Sequence, residues 1–450
     1  MRHREPEWVR HALWWHVYPL GFVGAEPRAD LSGELVQHRL GAIQGWLDHV
    51  LELGASGLLL GPVFASETHG YDTVDHFRID PRLGDEADLE ALVEAAGRRG
   101  IRVMLDGVFN HVARSHGAFA AVLAGGPSAP TAAWFHLHWP GGADAWTPGV
   151  EPDYEDFEGH HHLVALNHAE PAVVDHVVEV MTHWLDRGIA GWRLDAAYAV
   201  SEGFWAEVAD RVRARHPDAY LMGEVIHGDY PGFVEASHLD SLTQYELWKA
   251  IWSAFNDRNF HELAHALGRH DALLEVFVPF TFVGNHDVTR IASRLHDPRH
   301  LEHAVVVLTT VAGTPAVYSG DEHAFRGIKE DREGGDDAVR PPFPPSPGDL
   351  PPQGLPTFHH HQAMLGLRRR HPWLHTARTE VLHVSNEQIA YASTDGTHRL
   401  LVALSTAQTP AAVPVPGAVN AITGHGEVTA PGTAAATVHL PAHGWAVLTA

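Results

Sequence analysis

Gly188-Ile189-Ala190-Gly191-Trp192-Arg193-Leu194-Asp195-Ala196 is the stretch from which the fold is read. An apolar run of strand length ends on an arginine and an aspartate two residues apart. Ionised side chains are seldom placed where water leaves unless they work there. Other apolar runs end the same way: Leu221-Met222-Gly223-Glu224-Val225, and Phe280-Thr281-Phe282-Val283-Gly284-Asn285-His286-Asp287. Val103-Met104-Leu105-Asp106-Gly107-Val108-Phe109-Asn110-His111 adds an aspartate, an asparagine and a histidine at a further strand end.

Outward from these runs, eight strand candidates alternate with helix-period segments: Leu13–Val17, Gly57–Val63, Ile101–Val108, Gly188–Asp195, Ala219–Val225, Ser241–Tyr245, Val276–Phe282 and Thr314–Ser319. Helical faces follow them, such as Leu89, Leu92, Val93 and Ala96, or Val177, Val180, Met181 and Trp184. The expected fold is α/β, a (β/α)8 TIM barrel over residues 1–111 and 165–372, because repeated βα units close parallel strands into a ring. Residues 112–164, rich in Gly, Pro, Trp and His, read as a short inserted subdomain after strand 3. Residues 329–356 are crowded with Pro, Gly and acids and read as a long irregular loop, followed by a basic helix over 358–370. Short alternating segments at 380–384, 388–393, 400–404 and 445–448 point to a C-terminal antiparallel β-sandwich over residues 373–450.

Composition narrows the partners. With 31 Lys and Arg against 56 Asp and Glu, the chain carries a formal charge of −25, which repels nucleic-acid phosphates and anionic membranes. The absence of cysteine removes disulfides, thiolate metal sites and a cysteine nucleophile. Met1 to Arg10 is polar and Leu13 to Val23 is broken by His16, Tyr18 and Pro19. No signal peptide or membrane span is therefore expected, and a cytoplasmic location follows by default. The oligomeric state is left open.

At the carboxyl end of a barrel, strand ends distant in sequence share one mouth. Breaking a glycosidic bond with retention takes one carboxylate to attack the anomeric carbon and a second carboxyl group to protonate the leaving oxygen. Asp195 is the candidate nucleophile, with Arg193 on the same strand face to keep it ionised and aimed. Glu224 is the candidate acid/base. Asp287, beside His286, is the candidate that binds sugar hydroxyls and stabilises the oxocarbenium-like ring.

These motifs, in this order, resemble the α-amylase family, glycoside hydrolase family 13, and more closely its α-glucosidase and maltodextrin-hydrolase members. Asp106-Gly107-Val108-Phe109-Asn110-His111, Gly191-Trp192-Arg193-Leu194-Asp195, Gly223-Glu224 and Asn285-His286-Asp287 resemble the family's four ordered regions. The resemblance implies that Asp195 forms a covalent glycosyl intermediate, that Glu224 is acid then base, and that Asp287 holds the distorted sugar. It further implies that His111 and His286 contact hydroxyls of one ring, that Tyr71 in His69-Gly70-Tyr71-Asp72 stacks beneath it, that Asp106 supports the site and that Asp72 contacts the innermost subsite. The implied partner is an α-linked gluco-oligosaccharide. Tyr198-Ala199 stands where typical family amylases carry Lys-His, which weakens an endo-amylase reading and a calcium site. Asn110 remains a calcium candidate without an oxygen set around it, so no metal and no cofactor are expected. Ala196, where a valine often accompanies α-1,6 activity, leans toward α-1,4 bonds. The short insertion favours soluble maltodextrins over granular starch. A transglycosylase or isomerase of the same family is the alternative.

Two readings of other classes compete. His261-Glu262-Leu263-Ala264-His265 matches the zinc-peptidase pattern, against which stand its three fixed positions in a chain with 38 histidines. A barrel that binds sugar without turning it over is the other, opposed by the presence of all three acids. The runs His160-His161-His162 and His359-His360-His361 set up no preorganised ligand geometry. Trp134, Trp139 and Trp146 suit either outer sugar subsites or the core of the insertion.

Overall fold

The computed structural model of the chain describes residues 5–30, 35–332 and 334–450. Met1–Arg4, part of the polar start, lie outside them. Eight parallel strands run in chain order: β1 Trp14–Val17, β2 Gly57–Leu60, β3 Arg102–Gly107, β4 Gly191–Leu194, β5 Tyr220–Gly223, β6 Ser241–Leu242, β7 Phe280–Phe282 and β8 Thr314–Tyr318. Their spatial order is β6-β5-β4-β3-β2-β1-β8-β7, and a parallel bridge between Thr243 and Phe280 joins the two ends into a ring. This is the barrel expected from the alternation of elements. The strands are shorter than the apolar runs. The run at 241–245 shows why: Gln244 already caps the helix Tyr245–Asn256, its side chain accepting from Leu247 N, so the strand stops at Leu242.

Strand alternation sorts the hydrophobic residues. Trp14, Leu59, Met104, Tyr220, Met222, Phe280, Phe282 and Ala316 fill the barrel interior, whereas Trp15, Leu58, Leu60, Leu105, Trp192 and Leu194 pack outward beneath the helices. Gly57 is required by close approach, since a Cβ there would collide with the indole of Trp14. The outer layer includes helices Glu86–Arg98, closed by a capping box on Asp85 and Asp88, and Pro171–Leu185, which starts on a proline at its first turn.

Two excursions rise from the mouth. After β2 an antiparallel hairpin, Phe64–Ser66 with Thr73–Ile79, projects a loop bearing Tyr71. No alternating signal announced it, because Asp75, His76 and Arg78 interrupt its apolar residues. After β3, His111–Ala113 pairs with His160–Ala165, which also pairs with Asp156–Phe157, around a helix at Gly117–Gly125. Trp139 is buried there, Trp134 and Trp146 are partly buried, and all three pack into the hydrophobic core.

The C-terminal part is built from two antiparallel sheets. Arg378–Val384, Gln388–Thr394, Arg399–Ser405, Trp445–Thr449 and Ala421–Gly424 form the larger; Ala411–Pro414, Thr437–Leu440 and Glu427–Thr429 form the smaller. Ala390, Leu401, Ala403, Ala446 and Leu448 face Val413, Val438 and Leu440 across the sandwich. On its other side the larger sheet packs Tyr391, Val402, Leu404 and Val447 against Phe255, Phe260, Val305, Leu308, Met364 and Leu367 of the barrel helices.

Candidate functional site

Register assembles the acids. In β3 the interior positions are Met104 and Asp106, in β4 Arg193, and in β5 Met222, and Arg193 stands directly opposite Asp106 on one side and Met222 on the other. The ladder continues past the strand ends, with Asp195 N donating to Gly107 O at 3.0 Å and Glu224 N to Leu194 O at 2.9 Å. Asp195 and Glu224 are thus each two residues beyond an inward-facing side chain and share its direction. Immediately after Asp195 the backbone turns through Ala196 in the left-handed region, φ 45°, and the Ala196 amide donates to Glu224 Oε2 at 3.1 Å. A non-glycine residue held there stores strain that the surrounding contacts must hold in place.

Arg193 joins the acids. Its Nη1 donates to Asp106 at 2.6 and 2.7 Å and to Asp195 Oδ1 at 3.2 Å, while Nη2 lies 2.8 Å from Glu224 Oε1 and 3.9 Å from Asp287 Oδ2. Burial pulls the guanidinium down, but Asp106 and Glu224 outweigh it and hold it well above the usual range. The expectation that Arg193 keeps Asp195 charged is corrected in part. Burial and then the charge of Glu224 push the Asp195 carboxyl well above the usual carboxylate range, with Arg193 pulling against them. Asp106 is raised by the same burial, again opposed by Arg193. A proton retained by such acids belongs to the cluster rather than to one residue. Asp287 behaves oppositely: burial would raise it, yet His286, Arg340 and Arg193 hold it well below the usual range.

The sugar-binding candidates divide. Tyr71 and His286 lie together, rings stacked 5.5 Å apart and 5° from parallel, with the Tyr71 hydroxyl hydrogen-bonded to His286 Nε2 and donating to Asp106 Oδ2 at 3.1 Å. His286 also meets Asp287 Oδ2 at 2.9 Å. His111 is buried at the base of the Tyr71 loop, Nε2 donating to Tyr71 O at 2.9 Å, and burial pulls it down to about 4. His69 is half-buried in that loop, its Nδ1 accepting from Tyr71 N at 3.2 Å. Asp72 is turned into the loop, where Thr68 donates to it from N at 3.1 Å and from Oγ1 at 2.6 Å. Those bonds and its burial engage it as a loop brace rather than as an open sugar contact.

Three residues enter the site that sequence reasoning had not placed there. Tyr245 OH donates to Glu224 Oε1 at 3.0 Å and accepts from Asn285 Nδ2 at 3.0 Å, and Asn285 Oδ1 accepts from Asp287 N at 2.9 Å. Arg340, carried by the long Pro-rich segment, donates from Nη2 to Asp287 Oδ1 at 2.8 Å and from Nε to His286 O at 3.0 Å. His16 lies edge-on to His286 at 5.0 Å, driven well below its ordinary range by burial and then by His286 and Arg193. Inward alternation from Trp14 signals His16, and the position just past β6 signals Tyr245. Arg340 lies far outside any strand end and carries no such signal. Beside Asp287 a cleft of about 350 Å³ opens, lined by Trp248, Thr289, Arg294, Lys329 and Asp331.

The competing motifs lie elsewhere. His261 and His265 are exposed on the helix Phe260–Leu273, and Glu262 between them is engaged by Ser253 Oγ at 2.8 Å. His160, His161 and His162 are exposed in their strand. Among the described residues, His76/His116/His176, His49/Glu322/His323, Asp297/His300/His443 and His38/Asp85/Asp88 each gather potential metal-ligating atoms within 4.8 Å, and none of these groups includes Asp195, Glu224 or Asp287. No helix among the described residues is long and apolar enough to cross a membrane.

Comparison with known proteins matches residues 16–342 to the alpha-amylase catalytic domain. A cyclomaltodextrinase of Bacillus sp is 31% identical over 426 residues, covering 89% of this chain and 73% of that one. Among solved structures, a debranching enzyme from Nostoc punctiforme superimposes with a TM-score of 0.83 at 27% identity, covering 100% of both chains. The cyclic α-maltosyl-(1→6)-maltose hydrolase of Arthrobacter globiformis, solved in complex with cyclic α-maltosyl-(1→6)-maltose, gives 0.82 at 26% identity, covering 99% of this chain and 100% of that one.

Proposed function

Because the chain belongs to the α-amylase family of glycoside hydrolases, we propose that it cleaves α-glucosidic bonds, α-1,4 foremost, in soluble gluco-oligosaccharides with retention through a glycosyl-aspartate. The observation that carries this reading is Arg193, one guanidinium in contact with Asp106, Asp195 and Glu224 and 3.9 Å from Asp287. In the first step Asp195 Oδ attacks the anomeric carbon as its bond to the leaving oxygen breaks, and that oxygen takes the proton of Glu224. Tyr245 OH, Arg193 and the Ala196 amide then face the carboxylate that Glu224 becomes. In the second step Glu224 recovers a proton from water, whose oxygen displaces Asp195 from the same carbon. Two inversions leave the configuration unchanged. Asp287, kept ionised, faces the positive charge that develops on the ring between the steps. Side chains and water suffice for both steps.

The test combines substrate, stereochemistry and trapping. Maltose, isomaltose, trehalose, sucrose, maltotriose, pullulan and starch are compared, with the anomer released first followed by NMR. The expected result is cleavage of maltotriose with an α-anomer formed first, turnover lost in Asp195→Asn and Glu224→Gln with ligand binding kept, and a sugar adduct on Asp195 by peptide mass spectrometry when Glu224→Gln is given an activated aryl α-maltoside, whose leaving group needs little protonation. A β-anomer, or full activity in Asp195→Asn, overturns the mechanism. Transfer products in place of free sugar would move the assignment to transglycosylation.

A further inference from the structure

Away from the acids, three histidines meet where the excursion after β3 docks on the barrel wall. His76 comes from the hairpin strand Thr73–Ile79, His116 caps the helix Gly117–Gly125, and His176 lies in the helix Pro171–Leu185. One ring nitrogen from each falls within 4.8 Å of the other two. The ring centroids are 5.4, 5.7 and 6.2 Å apart with planes crossed at 70°, 62° and 80°, so edges meet rather than faces.

The tautomer of His76 is set by its surroundings. Nε2–H donates to the Val108 carbonyl at 2.8 Å, which leaves Nδ1 with its lone pair aimed at His176 Nε2, 3.5 Å away. Two nitrogens each about 2.0–2.1 Å from a tetrahedral zinc stand roughly 3.3–3.4 Å apart. A backbone carbonyl behind the imidazole is the usual partner that orients a metal ligand.

We propose that His76, His116 and His176 form a three-histidine site for a borderline transition-metal dication such as zinc, clamping the excursion and the Tyr71 hairpin to the barrel. An all-imidazole set suits zinc, cobalt or nickel and not the oxygen-seeking calcium or magnesium. His176 is half-buried, so the cluster lies near the surface on its side, and a fourth ligand would come from water. His116 Nδ1 also accepts from Ala118 N at 3.3 Å, a long contact.

The alternative is metal-free, with His176 Nε2–H donating to His76 Nδ1. Full-length protein stripped with EDTA is titrated with zinc chloride by calorimetry and by thermal unfolding, and with cobalt chloride by visible absorption. His176→Phe keeps an aromatic ring against Trp134, and His116→Asn keeps a helix cap. The wild type is expected to take up one tight equivalent, unfold a few degrees higher with zinc and show the absorption of tetrahedral cobalt. Both variants are expected to weaken that equivalent at least about tenfold and lose the cobalt band, with metal-free unfolding temperatures near the wild type. His261→Ala, at an exposed position of the helix Phe260–Leu273, should change none of this. Absence of a stoichiometric site in the wild type overturns the proposal whether or not the variants fold, and so does its survival in both variants.

Discussion

Tyr245→Phe removes one oxygen from the interior of the site and separates the proposed acid/base from the rest of the machinery. The hydroxyl makes two bonds of 3.0 Å, donating to Glu224 Oε1 and accepting from Asn285 Nδ2. A hydrogen bond to a charged group contributes about 1.5–3 kcal/mol, and Glu224 acquires its charge as it protonates the leaving oxygen. Expressed in the transition state, the loss lowers kcat by about 10- to 150-fold. The effect should depend on the leaving group. Maltotriose needs a full proton from Glu224, whereas an activated aryl α-maltoside departs with little help, so its first step should slow by no more than a few fold. Single-turnover rates on the two substrates make the comparison. The same substitution leaves the buried Asn285 amide without its acceptor, at a cost of about 1–3 kcal/mol in stability, read by urea titration. Equal slowing on both substrates, or none on maltotriose, would refute the role given to Tyr245.

Asp195→Asn tests the electrostatics of the cluster through stability. Because the Asp195 carboxyl is raised, the folded chain holds that proton more tightly than the unfolded one, so its contribution favours folding in acid and becomes a penalty as pH rises through the raised value. The variant should therefore unfold later than the wild type at pH 7, by about 1–2 kcal/mol, with the gap closing toward pH 4 in paired thermal melts. Arg340→Ala removes the 2.8 Å contact to Asp287, so kcat/KM on maltotriose should fall by about 10- to 100-fold and its acidic limb should move to higher pH as Asp287 loses a cation. Arg368→Met deprives the carbonyls of Thr309, Val311 and Gly313 of one buried guanidinium, and chemical denaturation should show a loss of about 3 kcal/mol.

The barrel was legible because each strand leaves a compact apolar run and each run ends in chemistry. Asp106, Arg193, Asp195 and Glu224 could be placed on one mouth from the two-residue repeat alone, and the structure seats them around one guanidinium. The electrostatic balance was less legible. That Arg193 serves three carboxylates at once, leaving Asp195 raised, depends on strand register that no single segment encodes. Arg340 was hidden for a similar reason, since the irregular chain that delivers it to Asp287 has no period to read. Asp72 could not be read from its neighbour: the Tyr71 side chain reaches the site, while the next side chain points back to Thr68. In the C-terminal part, the strands at 411–414, 421–424, 427–429 and 437–440 escaped notice because they are only three or four residues long and largely exposed on one side.

The central strands of the larger C-terminal sheet are covered on both broad sides, and this governs how the gene can be cut. Trimming the chain after Pro372 would not liberate a minimal catalyst: Phe255, Phe260, Val305 and Leu308 would lose the wall formed by Tyr391, Val402, Leu404 and Val447 and meet water as a greasy patch. Loops at the mouth can be exchanged to retune specificity, whereas the rear of the enzyme and its tail must be inherited together.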